Sequence, residues 1–365
     1  MIPPDAGGPD RPDDGLPAKP IDAPSPVGAA PPPVGAAPLK PARPDPARPG
    51  ASTFTIEGRS APALFVVGWL ASILGLGGVF IAILGGGNPA APILAIVSLV
   101  VLSLGLIAAA GAQAVERRAR GAVGYTGPSP FLIIVAAFAV SFLIGTLVGV
   151  PLAAAGVDLR SPLTAVVSLV IQALVYVGLI RLLVVDTGAL SWADMGLRRP
   201  DARVLPELIA GALWAGPVIL ATIVVVGILT QLLPVTPESP LKPTGDNAGL
   251  LLNLLAGAVL APIAEEILFR GFATTSWART MGHRRAIIRG ALFFAFAHVL
   301  SIGGENAGEA ISLAIVGFAS RIPVALVLGW LYLRRGSLWA PIGLHAAFNG
   351  TLIVVAELAL RSGLV

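Results

Sequence analysis

Apolar and polar positions along this chain fall into long blocks. After Arg59, runs of about 20 apolar residues, the length that crosses a bilayer, alternate with short stretches of glycine, proline and charge. Nine such runs are read: 61–85, 90–114, 130–156, 162–185, 205–233, 248–271, 286–302, 309–333 and 337–360. The seventh is short and the eighth holds Arg321 and Pro323, so eight spans is the other reading. The predicted fold is all-α, a polytopic membrane helix bundle of eight or nine transmembrane helices.

Residues 1–58 read differently. About half of the 33 prolines lie in the first 50 residues, and the hexapeptide PVGAAP occurs at 26–31 and again at 33–38. A segment this rich in proline, alanine, glycine and charge cannot bury enough apolar surface to offset its ordering entropy, so a disordered tail is expected. The first residues, MIPPDAGGPDRPDDG, do not read as a basic stretch followed by an apolar run, so no signal peptide is expected.

The basic residues test the span count. Arg117, Arg118 and Arg120 follow the second run; Arg198, Arg199 and Arg203 lie between the fourth and fifth; Arg279, Arg284 and Arg285 between the sixth and seventh; Arg334 and Arg335 between the eighth and ninth. These connections alternate, so nine spans place them all on one side, while the opposite loops hold only Arg160 and Lys242 as bases. An excess of arginine and lysine marks the cytoplasmic side, which puts the N-terminal tail there as well. The expected location is the plasma membrane of a bacterium.

Composition agrees. The chain is 55% hydrophobic and 12% charged, with a mean hydropathy of +0.85, where soluble domains carry about 25% charged residues. The net charge of +4 belongs to arginines flanking spans, so no nucleic-acid partner is expected. The absence of cysteine excludes disulfides, thiol nucleophiles and thiolate metal sites.

Most runs hold no ionisable group in their middle. The exceptions lie in the last third of the chain: Glu265, Glu266, His298, Arg321 and His345, with Asn349 nearby. Intramembrane groups of this kind point to function by default. From the predicted span ends, Glu265, His298, His345 and Asn349 lie roughly 10–18 Å from the cytoplasmic face, so separate helices bring them to one layer. His345 and Asn349 share a helix face at i,i+4, as do Phe294 and His298, and Glu266 and Arg270. Glu265 points about 100° away from Glu266. Arg270 thus holds Glu266, and Glu265 is left to face a cavity.

Three of these stretches carry a resemblance. EEILFR (Glu265, Glu266, Arg270), FAFAH (Phe294, His298) and HAAFN (His345, Asn349) resemble the motifs E-E-x-x-x-R, F-x-x-x-H and H-x-x-x-N of the CAAX protease and bacteriocin-processing family of intramembrane proteases. Leu328 to His345 and Leu190 to Pro200 also look like that family. The resemblance covers about 190–355, suggesting N-terminal helices over 59–186 and a catalytic core over 187–365. Arg321 departs from the pattern.

Peptide hydrolysis needs an activated water, a site for the oxyanion and a proton donor for the leaving amine. Glu265 suits the general base, with His298 orienting the water or shuttling its proton. His345 and Asn349 suit the oxyanion, and Glu266 with Arg270 supports the site. The resemblance implies the same roles and a membrane-associated peptide or lipoprotein substrate. A divalent metal such as zinc on Glu265, His298 and His345 is the other way to activate water; a metal-free, glutamate-activated water fits these residues equally. Neither H-E-x-x-H nor G-x-S-x-G occurs, and no aspartate lies inside a span. Two alternatives have the same pocket serve other ends. One is a non-catalytic immunity or scaffolding protein that binds a peptide there. The other is a transporter, against which the lack of an inverted repeat counts.

Overall fold

The computed structural model describes residues 62–365, apart from 87, 199, 234, 236–240, 301 and 365. The tail read over 1–58 lies outside the described residues. Every regular element among the described residues is helical. Helices α1 (Pro62–Leu84), α2 (Ala91–Ala119), α3 (Pro130–Ala154) and α4 (Pro162–Ile180) come first, and α4 runs on through a π-helical turn, Arg181–Val185. Then come α5 (Val204–Ala212) and α6 (Ala215–Leu232). A long composite helix follows: α7 (Asn247–Leu254), a π-helical stretch Leu255–Leu260, α8 (Ala261–Glu265), a second π-helical stretch Glu266–Thr274, and α9 (Thr275–Met281). The chain ends with α10 (His283–Ala297), α11 (Ala307–Arg335) and α12 (Trp339–Arg361).

Among the described residues eight helices are long and apolar enough to cross a membrane, with α5–α6 counted as one and the composite helix as another. The chain is a multi-pass membrane protein. The seventh apolar run is the 15-residue helix α10, about 22 Å long against a hydrocarbon core of about 30 Å. It stops at His298, its C-terminal cap. Leu74, Ile83, Leu174, Leu220 and Val355 are exposed, as expected where lipid rather than water is the solvent.

The composite helix is the hub, packing against α3, α4, α10, α11 and α12. Around it lies the main core, which includes Tyr125, Tyr176, Phe269, Phe272 and Phe294. Helix α1 packs on α2. Helix α12, which carries two of the candidate site residues, is fixed by α5. Their backbones cross so closely that a Cβ on Gly211 would collide with the carbonyl of Ala340, and one on Gly343 with that of Leu208. Only glycine permits that approach.

The arginine-bearing connections gather at one end of the bundle. Arg118 donates to the carbonyl of Thr187 (2.7 Å) and Arg279 pairs with Asp194 (2.7 Å). The Leu338 N–H, between α11 and α12, donates to the carbonyl of Gly196 (3.2 Å). At the other end Glu357 accepts from Arg361 (2.9 Å) and from the Thr244 N–H (2.9 Å).

Candidate active site

The composite helix sets the site because its hydrogen-bond ladder is interrupted. In Leu255–Leu260 the ladder has slipped to i→i−5, and the Ala261 N–H donates to the carbonyl of Ala256. The next donor in that series would be residue 262, which is proline and has no N–H. The carbonyl of Gly257 thereby loses its partner, and the amide of Asn349, from α12, donates to it instead (Nδ2–O 2.8 Å). Below the proline the second π-helical stretch begins at Glu266, and Thr274 Oγ1 donates to the Phe269 carbonyl, five residues back (2.8 Å). Short π-helical stretches recur at functional sites, where they re-aim side chains.

Glu265 and Glu266 straddle this junction and face different surroundings. Glu266 is fully buried. Its Oε1 accepts from Arg270 Nη1 (2.9 Å) and from His345 Nδ1 (2.8 Å). Arg270, also buried, reaches the Ala325 carbonyl on α11 (3.4 Å) and lies over the Phe294 ring, 4.3 Å from its centroid. A buried ion pair needs such additional partners to offset its desolvation.

Glu265 lines a cavity of about 620 Å³ together with His298, Tyr176, Phe269 and Arg321. Its Oε2 lies 3.6 Å from His298 Nε2 and 3.8 Å from His345 Nε2. That oxygen is buried and hydrogen-bonds no group among the described residues. The two imidazoles are oriented alike. His298 Nδ1 donates to the carbonyl of Phe294 (2.7 Å), and His345 Nδ1 donates to Glu266, so each presents Nε2 toward Glu265. The Phe294 ring wedges both, with centroids 4.4 Å from His298 and 5.7 Å from His345.

The structure therefore brings together Glu265, Glu266, Arg270, Phe294, His298 and His345. Asn349 lies one turn further along α12 and is engaged with Gly257. Tyr176 is a wall residue that sequence reasoning passed over, because a tyrosine within an apolar run gives no sign of which way it faces. Arg321 was visible as an odd charge, and the structure turns it into the cavity. Among the described residues no group of three or more His, Asp or Glu side chains is placed to hold a metal ion.

Comparison with known proteins adds one match. Residues 247–351 fit the model of the family described as Type II CAAX prenyl endopeptidase, Rce1-like. That segment runs from the start of the composite helix into α12 and holds Glu265, Glu266, Arg270, His298, His345 and Asn349. No curated protein and no solved structure matches the chain.

Proposed function

We propose that this chain, a member of the Rce1-like family of intramembrane proteases through its segment 247–351, hydrolyses peptide bonds of membrane-associated or lipidated peptides near the cytoplasmic leaflet, using a water activated by Glu265 and His298. The observation that carries this reading is Glu265 Oε2, buried on the cavity wall and facing two imidazole Nε2 atoms at 3.6 and 3.8 Å.

With its Nδ1 proton committed to the Phe294 carbonyl, neutral His298 offers a lone pair at Nε2. Glu265 is an acceptor too. A water donating one proton to each turns an oxygen lone pair toward a carbonyl carbon in the cavity. Glu265 takes a proton as that oxygen attacks, and the carbonyl oxygen becomes an oxyanion. Glu265, passing the proton directly or through His298, then protonates the leaving amine as the C–N bond breaks, and both return to their starting states. A positioned acid–base group of this kind contributes about 10²–10⁴-fold in rate.

The oxyanion needs donors. Asn349 has two amide hydrogens and uses one on Gly257. His345 donates from Nε2 as well as Nδ1 when it is an imidazolium. The arginine distribution supports a cytoplasmic N-terminal tail in this reading.

The test is product analysis with full-length protein in proteoliposomes and membrane-anchored peptides. Expected are two fragments whose masses sum to that of substrate plus one water, and no diversion to hydroxamate when hydroxylamine is added. A hydroxamate product would reveal an acyl-enzyme and overturn the direct attack of water.

A further inference from the structure

Arg321 remains outside this account. It sits in the middle of α11, in a helix long and apolar enough to cross the membrane, and it lines the same cavity as Glu265 and His298. Its Nη1 donates to the carbonyl of Gly317 in its own helix (2.7 Å). Among the described residues it forms no ion pair with a carboxylate within 4.0 Å. The other intramembrane guanidinium behaves differently: Arg270 is locked to Glu266 at 2.9 Å. A charge held in such a place without a fixed counter-ion marks a ligand or substrate pathway by default.

Arg321 feels the charge of Glu265 across the cavity but is not hydrogen-bonded to it among the described residues, so its donors are open to something that enters between them. A guanidinium has five N–H donors in a planar fork, which matches a carboxylate two bonds at a time. One donor is used on Gly317; the others remain. The wall facing it from α3 and α4 is not purely apolar either, because Ser141, Ser168 and Gln172 line the cavity. Those groups suit the amide bonds of a peptide better than a hydrocarbon chain.

Resting on the protease reading, we infer that Arg321 is a specificity-determining residue that binds a carboxylate of the peptide substrate, either its free C-terminus or an acidic side chain near the cleaved bond. Bound there, the carboxylate fixes which peptide bond lies over Glu265. The enzyme selects anionic peptides through binding.

The test uses full-length protein in detergent and fluorescent peptides in matched sets: free acid against C-terminal amide, and glutamate against glutamine at each position. Binding is measured on the Glu265→Gln variant, with and without Arg321→Gln, and cleavage on wild type and Arg321→Gln. One carboxylate should improve binding at least ten-fold over its neutral counterpart, and the ratio should fall to about one when Arg321 is replaced. The free-acid and glutamate arms separate the two sources. Arg321→Lys should keep part of the preference. Equal binding of charged and neutral peptides to the Glu265→Gln protein would overturn the inference. So would an Arg321→Gln variant that loses affinity for both alike, which would place Arg321 in folding or in the general field of the site. Because binding is read on a protein that need not cleave, this result is independent of whether the protease mechanism stands.

Discussion

His345 Nδ1 and Glu266 Oε1 meet at 2.8 Å although 79 positions separate them in the chain. This bond ties α12 to the composite helix at the level where Glu265 faces the cavity. Arg270 holds the same oxygen from the other side at 2.9 Å. Neither partner is replaceable alone, because removing one leaves a buried charge uncompensated. Arg270→Ala is expected to cost about 3–5 kcal/mol of stability. Glu266→Gln should lower the melting temperature and also release His345. Thermal unfolding in detergent, followed by intrinsic fluorescence, checks both. Melting temperatures equal to wild type would show that the pair is not what holds these helices.

His298 ends α10 and is oriented by the Phe294 carbonyl at 2.7 Å. His298→Ala should lower kcat by about 10²–10⁴-fold while leaving the melting temperature within a few degrees, since the side chain is half-buried. Steady-state kinetics alongside a melting curve separates the two. A variant with full activity would remove His298 from the water-activating pair.

Asn349 has two possible duties, and Pro262 separates them. If the amide's only work is to satisfy the Gly257 carbonyl, Asn349→Ala costs about 1–3 kcal/mol, the penalty of an orphaned buried acceptor. Pro262→Ala supplies a new N–H at that place in the ladder. The double variant should therefore regain much of the lost stability. The oxyanion role predicts that activity stays low in the double variant even as stability returns. Parallel recovery of both would make Asn349 a structural cap.

Asp194 and Arg279 lock the loop before α5 to the end of the composite helix at 2.7 Å. Burial alone would raise the Asp194 carboxyl, but hydrogen bonds from the Ser191 N–H and hydroxyl, together with Arg279, outweigh it and hold the carboxyl below its usual value. A depressed carboxyl stabilises the fold above its unfolded pKa of about 4, and that contribution is lost as pH falls through the folded value. Asp194 is one-third exposed, so solvent screening limits the effect to about 1 kcal/mol. Asp194→Asn should melt lower than wild type at pH 7, and the two curves should converge as pH falls below about 4. A constant gap across that range would contradict the assignment.

The membrane class was legible because apolar runs long enough to span need no tertiary information to be seen. The pairing of Glu266 with Arg270 was legible for a similar reason: i,i+4 neighbours on one helix meet whatever surrounds them. Convergence of Glu265, His298 and His345 followed from their common depth. The π-helical stretches were not legible, because Pro262 says only that a donor is missing, and the residue that answers it, Asn349, comes from another helix. Helix α10 read as a span because the apolar residues continue past Ala297, whereas the chain leaves helical geometry at His298. The loop around Ser191 and Asp194 carried family-like residues, but its partner Arg279 looked like one of several interfacial arginines.

The most direct measurement is the turnover of a membrane-anchored peptide by wild type and Glu265→Gln, reconstituted side by side, matched in melting temperature, with and without a chelator. The account predicts that the variant loses at least 10²-fold in kcat and that the chelator leaves wild-type turnover unchanged. Wild-type turnover by Glu265→Gln would contradict Glu265 as the base, and abolition of turnover by the chelator would move the activation of water from the carboxylate to a bound metal.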